Sequence, residues 1–171
     1  MKLTEDQLCE VFAEGVKEKP DFAHWVLAKT KFAPFATSCR LLHDEQMAIR
    51  PRMRWWRHWW CRVPKLQKAR ETDIFMVFEN TMDGARLALH VESKRDNYRF
   101  NDGQAAAYAS RAKHMLGKPE FLSHTDFATV LLAPEPFRDR FGPDCSLFDV
   151  FIAYEEVAMH LPAFSAKGEA Q

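Results

Sequence analysis

Two apolar segments separated by a turn signal constrain the fold of this 171-residue chain more than any other feature. Residues 72–78 (TDIFMVF) are apolar at consecutive positions, which is typical of a strand buried on both faces of its sheet. Asp83-Gly84 marks a tight turn, and residues 86–91 (RLALHV) form the next predicted strand. Because a central strand needs cover on both faces, the pattern predicts an α/β domain with a mixed central β-sheet flanked by helices.

Helical signals precede and follow this pair of strands. Thr4 and Gln7 have the spacing of a capping box, and apolar residues recur after them at helical intervals. A second helix is expected after Pro20. A third is expected to open near Asn101 and to end at Gly117.

Further strands are predicted on both sides of the apolar pair. Residues 52–63 alternate between apolar and basic, which indicates a half-exposed strand, and residues 64–70 read as a basic turn. Two more strands are expected at 127–132 and 148–154, and residues 36–50 give no clear pattern. The predicted order is αβββαβ with additions at both ends.

Length and composition limit the remaining possibilities. The chain is long enough for one domain, predicted over residues 1–164 and followed by a flexible tail at 165–171. The formal net charge is +0, so a polyanion would have to bind a local basic patch. The four cysteines form no CxxC pair and give no sign of a zinc or iron–sulfur site. Without a signal-peptide pattern or a long apolar run, a cytoplasmic protein with no membrane partner is expected, and a homo-oligomer is left open.

The residue types most suited to chemistry stand at the ends of the two apolar strands. Asp73 begins the first, and Glu92-Ser93-Lys94 ends the second. Neighbouring strands lie about 4.8 Å apart, so Asp73 and Glu92 can reach one metal ion. Side chains alternate along a strand, so Glu92 and Lys94 share a face while Ser93 offers only its backbone carbonyl.

These residues predict a site for Mg²⁺ or Mn²⁺ formed by Asp73, Glu92 and Ser93, with Lys94 beside the attacking water. The alternative interpretation is an exposed pair of Glu92 and Lys94 on an edge strand, because an E-x-K triplet is common by chance.

The helix after these strands carries a polar stripe. Gln104 and Tyr108 are four residues apart and share one helix face, which Arg111 extends. Spacing alone leaves two interpretations equally open. Either both residues act at the site, or Tyr108 packs in the core and Gln104 only caps the helix.

Together, these motifs resemble the PD-(D/E)XK nuclease superfamily, particularly the branch that contains phage lambda exonuclease and the nuclease domains of bacterial recombination helicases. That branch places an Asp on one strand, E-x-K on the next and Q-x-x-x-Y on the following helix. The matching residues here are Asp73, Glu92 with Lys94, and Gln104 with Tyr108. The resemblance spans residues 70–132, plus the leading helix in topology.

The resemblance implies a restriction-endonuclease-like core and metal-dependent hydrolysis of nucleic-acid phosphodiester bonds, with DNA as the substrate. It implies metal ligation by Asp73 and Glu92, a catalytic role for Lys94 and substrate positioning by Gln104 and Tyr108. The chain departs from the family name at Thr72, which stands where proline is expected.

Two other residues bear on the resemblance. Many members of this branch add a Glu ligand from the first helix, and Glu5 fits that place. A solvated first-turn acid favoured by the helix dipole is the preferred interpretation of Glu5. His90 shares the face of Glu92, either as a group behind the ligands or as a core histidine bonded to a backbone carbonyl.

A basic, tryptophan-rich segment lies between residues 50 and 70. It holds eight Lys or Arg and no acid, and it contains four of the five tryptophans, namely Trp55, Trp56, Trp59 and Trp60. Arg52 and Arg54, together with Arg111 on the later helix, are predicted to bind nucleic acid, with solvation as an equal alternative for the arginines of the segment. For the tryptophans, packing in the core is favoured over stacking on unpaired bases.

The sequence therefore predicts a metal-dependent deoxyribonuclease. One alternative is a catalytically silent protein of the same fold that binds nucleic acid or a protein partner. Another is a plain α/β interaction module with an accidental E-x-K, in which Glu92, Lys94 and Gln104 would lie far apart.

Overall fold

The two apolar segments pair as an antiparallel hairpin within a five-stranded sheet in the computed structural model, which describes residues 3–64 and 70–165. In chain order the strands are β1 (Cys39–Leu41), β2 (Trp59–Cys61), β3 (Arg70–Thr72), β4 (Ile74–Asn80), β5 (Arg86–Ser93), β6 (Asp126–Ala133) and β7 (Val150–Ala153). The helices are α1 (Glu5–Glu18), α2 (Pro20–Ala28), α3 (His43–Ile49), α4 (Gln104–Met115), α5 (Glu135–Cys145) and α6 (Tyr154–Val157), with 3₁₀ turns at Ala33–Ser38, Pro119–Phe121 and Pro162–Phe164.

The strand order in the main sheet is β1-β4-β5-β6-β7. The pairs β1–β4 and β4–β5 are antiparallel, whereas the pairs β5–β6 and β6–β7 are parallel. Strands β2 and β3 form a separate antiparallel ladder. The predicted α/β class with a mixed central sheet flanked by helices is therefore confirmed.

Alternation along β4 and β5 divides the core between the two faces of the sheet. Odd-numbered residues of β5, such as Leu89 and Val91, pack in the cluster that holds the apolar face of α1. On the opposite face, Ala88 of β5 packs with Phe75 of β4 and Met115 of α4. The end of β5 thus presents its even-numbered side chains to α4. The capping box of Thr4 and Gln7 is confirmed at the start of α1.

The side chain of Gln46 completes the hydrogen bonding of β4 where β1 ends. Strand β1 pairs only with the last three residues of β4. Beyond it, the Gln46 amide donates to the carbonyls of Trp55 and Phe75 at 3.1 and 3.0 Å and accepts from Val77 N at 2.8 Å. Gln46 is fully buried. A single side chain therefore substitutes for the missing part of an edge strand.

The predicted strand over residues 52–63 is wrong for most of its length, because only Trp59–Cys61 is extended. Trp55 and Trp56 pack in the cluster with α1, whereas Trp59 packs in the cluster on the other face of the sheet. The segment has to cross between the two faces, which a single strand cannot do. His58 makes the change of direction with a left-handed φ of 63°.

Other predicted boundaries also differ. The strand expected over residues 72–78 is divided at Asp73, which lies between β3 and β4. The unassigned segment 36–50 contains β1 and α3, and α5 was not predicted. Most of the predicted basic turn (65–69) and the predicted tail after Ser165 lie outside the described residues.

We expect Gln46→Leu to lower the free energy of unfolding by about 2–4 kcal/mol, because it leaves buried backbone groups of Trp55, Phe75 and Val77 without partners. Chemical denaturation measures the change. Met47→Ala, at an exposed neighbouring position, is the control and should change stability little. If Gln46→Leu leaves the free energy of unfolding unchanged, water replaces the amide as the hydrogen-bond partner.

Candidate active site

Glu92 lies at the end of β5 with a side chain that is 1% exposed. Its Oε1 atom lies 2.7 Å from Lys94 Nζ and accepts a hydrogen bond from Gln104 Nε2 at 2.5 Å. Its Oε2 atom accepts a hydrogen bond from the Tyr108 hydroxyl. A buried carboxylate needs such partners, since an unpaired charge in the interior is costly. The predicted E-x-K and Q-x-x-x-Y residues therefore meet at one carboxylate.

The start of α4 directs Gln104 and Tyr108 toward Glu92. Gly103 precedes the helix with a φ of 67°, a conformation that glycine adopts without strain. Gln104 Oε1 accepts from Asn101 N at 3.0 Å, while its amide nitrogen donates to Glu92. Tyr108 is 1% exposed. The two interpretations of Tyr108 therefore hold together, because it is buried and also binds Glu92. The interpretation of Gln104 as a cap is wrong, because Gly103 is the N-cap and Gln104, the first helical residue, binds Glu92 instead.

Asp73 reaches the same cluster from the break between β3 and β4. Its Oδ2 atom accepts a hydrogen bond from Ser93 N at 2.9 Å, and its own backbone N–H donates to the Tyr108 hydroxyl at 3.4 Å. Burial, reinforced by repulsion from Glu92, raises the pKa of Asp73 well above its usual value. The division of the predicted strand is thus what brings Asp73 beside the end of β5.

Lys94 balances part of this negative charge. Burial lowers the pKa of its amine, but attraction to Glu92 and their hydrogen bond outweigh burial and raise the pKa above its usual value. Lys94 is 7% exposed. The alternative of an exposed pair of Glu92 and Lys94 on an edge strand is therefore wrong. The interpretation of the E-x-K triplet as accidental predicted that Glu92, Lys94 and Gln104 lie far apart, and that prediction is also wrong.

Glu5 lies closer to this cluster than the preferred sequence interpretation allowed. It is half-buried, and its Oε2 atom has no hydrogen-bond partner among the described residues. Burial is the main cause that raises the pKa of Glu5, while Lys94 attracts the carboxylate and Glu92 repels it. Glu5 and Asp73 line one small cleft. The interpretation of Glu5 as a freely solvated acid is therefore wrong.

The same cleft contains residues that the sequence did not place at the site. They come from α1, from the segment before β2 and from β3, and they are Asp6, Cys9, Trp56, Arg57 and Glu71. Arg57 is held by an ion pair with Asp6 at 2.8 Å. Of these five, Glu71 alone has a signal in the sequence, because it stands two residues before Asp73, the spacing at which strand side chains share a face.

The donor set suits a hard divalent cation. In residues 3–64 and 70–165, no three His, Cys, Asp or Glu side chains are arranged to hold a metal ion together. Mg²⁺ is usually bound through one or two carboxylates, with waters and substrate phosphates as the other ligands. The raised pKa of Asp73 and the unpartnered oxygen of Glu5 show acids that lack compensating positive charge. Asp73 and Glu92 therefore fit Mg²⁺ or Mn²⁺.

Ser93 points to the opposite face, as alternation predicts. Its hydroxyl lies 3.1 Å from the Tyr154 hydroxyl, at hydrogen-bond distance. Its backbone N–H holds Asp73 in place. The predicted role of the Ser93 carbonyl as a metal ligand stays a prediction.

Arg111 does not lie where a nucleic-acid contact would require it. Its side chain is buried at 1% exposure, and one guanidinium nitrogen donates to the carbonyl of Glu71 at 3.1 Å. The guanidinium carbon lies 4.3 Å from the centre of the Tyr108 ring. We therefore correct the predicted nucleic-acid contact and assign Arg111 to the support of β3 and Tyr108 from behind the site.

The basic segment separates into buried and exposed residues. Trp55, Trp56 and Trp59 are buried, as the favoured interpretation of the tryptophans expects, but Trp60 is 54% exposed. Arg52 and Arg54 are exposed, and Arg54 forms an ion pair with Glu10 at 3.2 Å. Their predicted contact with nucleic acid stays a prediction.

His90 fits neither interpretation offered for it. The ring is fully buried between Phe75 and His124, and neither ring nitrogen has a hydrogen-bond partner among the described residues. Burial lowers the pKa of His90 well below its usual value. His90 is therefore a neutral packing residue of the face that α4 covers.

Comparison with protein-family models, curated proteins and solved structures finds no match to this chain. The assignment of the site therefore rests on its geometry and on the motif resemblance. Within the described residues, no helix combines the length and apolar character needed to cross a membrane.

We expect Asp73→Asn to raise the melting temperature in EDTA and to abolish the stabilisation of the fold by Mn²⁺. Asp73 holds its proton more tightly when folded, so its contribution to stability falls as the pH rises from the ordinary pKa of an aspartate toward the raised folded value. The increase in melting temperature caused by Asp73→Asn should therefore be larger at pH 7 than at pH 4. Thermal unfolding with and without Mn²⁺ measures both effects.

Asp139→Asn, at an exposed position on α5, is the matched control for this substitution. It should leave the response to Mn²⁺ unchanged. If Asp73→Asn also responds to Mn²⁺ as the parent does, Asp73 is not a metal ligand.

Arg111→Met should leave the salt dependence of nucleic-acid binding unchanged, because a buried guanidinium releases no counterion from a phosphate. A contact from exposed Arg52, removed by Arg52→Gln, would reduce the slope of log K against log salt by about 0.9. Binding titrations at several salt concentrations compare the two variants. A reduction of that size in Arg111→Met would contradict the role assigned to Arg111.

Proposed function

We propose that this protein is a metal-dependent nuclease that hydrolyses phosphodiester bonds of DNA. The observation that carries the proposal is the convergence of Lys94, Gln104 and Tyr108 on the buried carboxylate of Glu92, with Asp73 beside it. Such polar groups are expensive to bury. Their collection at one end of a central strand has a ready explanation in catalysis and little in stability.

The order of elements supports the same proposal. Helix α1 is followed by the antiparallel strands β1, β4 and β5 of the main sheet, then by α4 and the parallel strand β6. This is the αβββαβ order of the restriction-endonuclease-like core that the motifs imply. We include that fold assignment in the proposal.

Asp73 and Glu92 would hold the divalent cation. A cation bound there would polarise a phosphoryl oxygen and lower the pKa of a bound water. Gln104 and Tyr108 fix the orientation of the Glu92 carboxylate through its two oxygens. Burial, then repulsion by Glu92, raises the pKa of Tyr108 well above its usual value, so the hydroxyl remains a hydrogen-bond donor at neutral pH.

Lys94 acts as a cation in this mechanism. Because its pKa is raised, the amine stays protonated at neutral pH and is poorly suited to remove a proton from water. A positioned ammonium instead orients the attacking water and stabilises the negative charge that develops on the phosphate. The structure thus favours charge stabilisation over general-base catalysis among the roles open to Lys94.

A second candidate function is binding without catalysis. Both oxygens of Glu92 already accept hydrogen bonds, as they would in a fold that has kept the cluster only for structure. This alternative predicts that neither Mg²⁺ nor Mn²⁺ stabilises the protein. The two candidates differ in metal binding and in cleavage.

We expect the parent protein to cut linear, circular or single-stranded DNA in Mn²⁺ or Mg²⁺ and not in EDTA. Lys94→Ala should lower turnover by a factor on the order of a hundred, the scale of a positioned charge-stabilising group. Its affinity for metal should fall little, because the carboxylates remain. Rate measurements at saturating DNA test the first effect, and calorimetry with Mn²⁺ tests the second.

Lys113→Ala removes an exposed lysine from α4 and serves as the control, with unchanged turnover. If the parent cuts and Lys94→Ala cuts at the same rate, the proposed role of Lys94 is wrong. If the parent binds Mn²⁺ but cuts no DNA, binding without catalysis is the better account.

A further inference from the structure

Trp60 is an exposed indole in a segment whose other tryptophans are buried. Its exposed fraction is 54%, against 4%, 1% and 1% for Trp55, Trp56 and Trp59. A large aromatic side chain left this exposed carries a cost in water that its neighbours avoid. Packing in the core therefore does not account for Trp60 as it does for its neighbours.

The ladder of β2 and β3 places Trp60 on the face that leads to the candidate active site. Trp60 pairs with Glu71, and Trp59 pairs with Thr72. Trp59 and Thr72 are buried, so they face the core, whereas Trp60 and Glu71 share the other face. Glu71 lines the cleft that also contains Asp73.

The pairing also gives the distance from Trp60 to the site. Cross-strand partners have Cα atoms about 5 Å apart, and two residues along a strand span about 6.7 Å. Asp73 follows the end of β3, two residues after Glu71, so its Cα atom lies at most about 12 Å from that of Trp60. Stacked nucleotides rise about 3.4 Å along a strand. A base resting on the indole would lie within a few nucleotides of a phosphate at Asp73.

The surroundings of Trp60 offer positive charge suited to a phosphate backbone. Arg62 directly follows the end of β2 and is exposed. Arg57 lines the cleft itself. The cleft also contains the acid Glu71. The Oε1 atom of Glu71 lies 2.7 Å from the Nδ1 atom of His58, but the two atoms do not form a hydrogen bond. Arg57 and Arg62 thus stand before and after β2 in the chain, with Arg57 also paired with Asp6.

We propose that Trp60 stacks on a base of an unpaired nucleic-acid strand and holds that strand in register with the site of cleavage. A base inside a duplex has both faces covered by its neighbours, so only an unpaired or frayed strand offers a free face to the indole. Base–aromatic stacking tolerates any base. The preferred substrate is therefore single-stranded DNA, or a duplex with a single-stranded end, without strong sequence preference. The part of this inference that concerns cleavage rests on the proposed function, whereas the part that concerns binding does not.

Fluorescence and affinity measured in Ca²⁺ with oligo(dT), and with an oligonucleotide of abasic sites of equal length, test the proposal. Oligo(dT) should quench the tryptophan fluorescence of the parent, because the exposed indole of Trp60 contacts the base. Trp60→Leu should remove most of this quenching. Trp60→Leu should weaken binding by about 5- to 150-fold, the range for loss of one stacked base. Trp60→Phe should retain part of the affinity. The parent should bind the abasic strand about as weakly as Trp60→Leu binds oligo(dT).

Met82→Ala, at an 81% exposed apolar residue in the turn between β4 and β5, is the control and should bind like the parent. Three results would overturn the stacking proposal. They are binding of oligo(dT) by Trp60→Leu as tight as that by the parent, binding of the abasic strand by the parent as tight as that of oligo(dT), and failure of the parent to bind oligo(dT). Exposed Trp60 would then fit a protein contact. A parent that binds oligo(dT) through Trp60 but cuts no DNA would uphold stacking and overturn the proposed nuclease activity, so the two failures are distinguishable.

Discussion

The buried carboxylate of Glu92 is the constraint on which the geometry of this protein depends. With a side chain that is 1% exposed, it loses nearly all its hydration and must be compensated within the fold. Compensation comes from Lys94 on the same strand and from Gln104 and Tyr108 one helical turn apart on α4. These bonds fix where α4 begins and how it lies over β5. A shift in either element would leave a charge without partners, so the cluster and the local fold are specified together.

The site carries more acid than the protein itself neutralises. Asp73 and Glu5 both have pKa values raised chiefly by burial, and Lys94 is the cation that contacts Glu92 directly. Stability alone would favour fewer acids in such a place. A bound divalent cation would offset the excess. Burial therefore makes the ionised forms of Asp73 and Glu5 costly, and a bound cation would lower that cost.

The sequence was most informative where a residue has few physical alternatives. An apolar run with an Asp-Gly turn predicted the hairpin of β4 and β5, and strand alternation placed Glu92 and Lys94 on one face while turning Ser93 away. The strand predicted over residues 52–63 was wrong because basic and apolar residues also alternate in a segment that crosses between the two faces of a sheet. The burial of Arg111 and Glu5 depends on how α1, β3 and α4 pack, which no local pattern contains. Trp60 differs from Trp59 only by its face of a three-residue strand.

The central claim is that Asp73 and Glu92 form a centre for metal-dependent cleavage. Glu92→Gln tests it most directly, because the amide keeps the size of the side chain and removes the charge. The account predicts that the parent cuts DNA in Mn²⁺, whereas Glu92→Gln remains folded by circular dichroism and cuts at least about a hundred-fold more slowly at any Mn²⁺ concentration. Cleavage by Glu92→Gln at the rate of the parent, or no cleavage by the parent in either Mn²⁺ or Mg²⁺, would contradict the account.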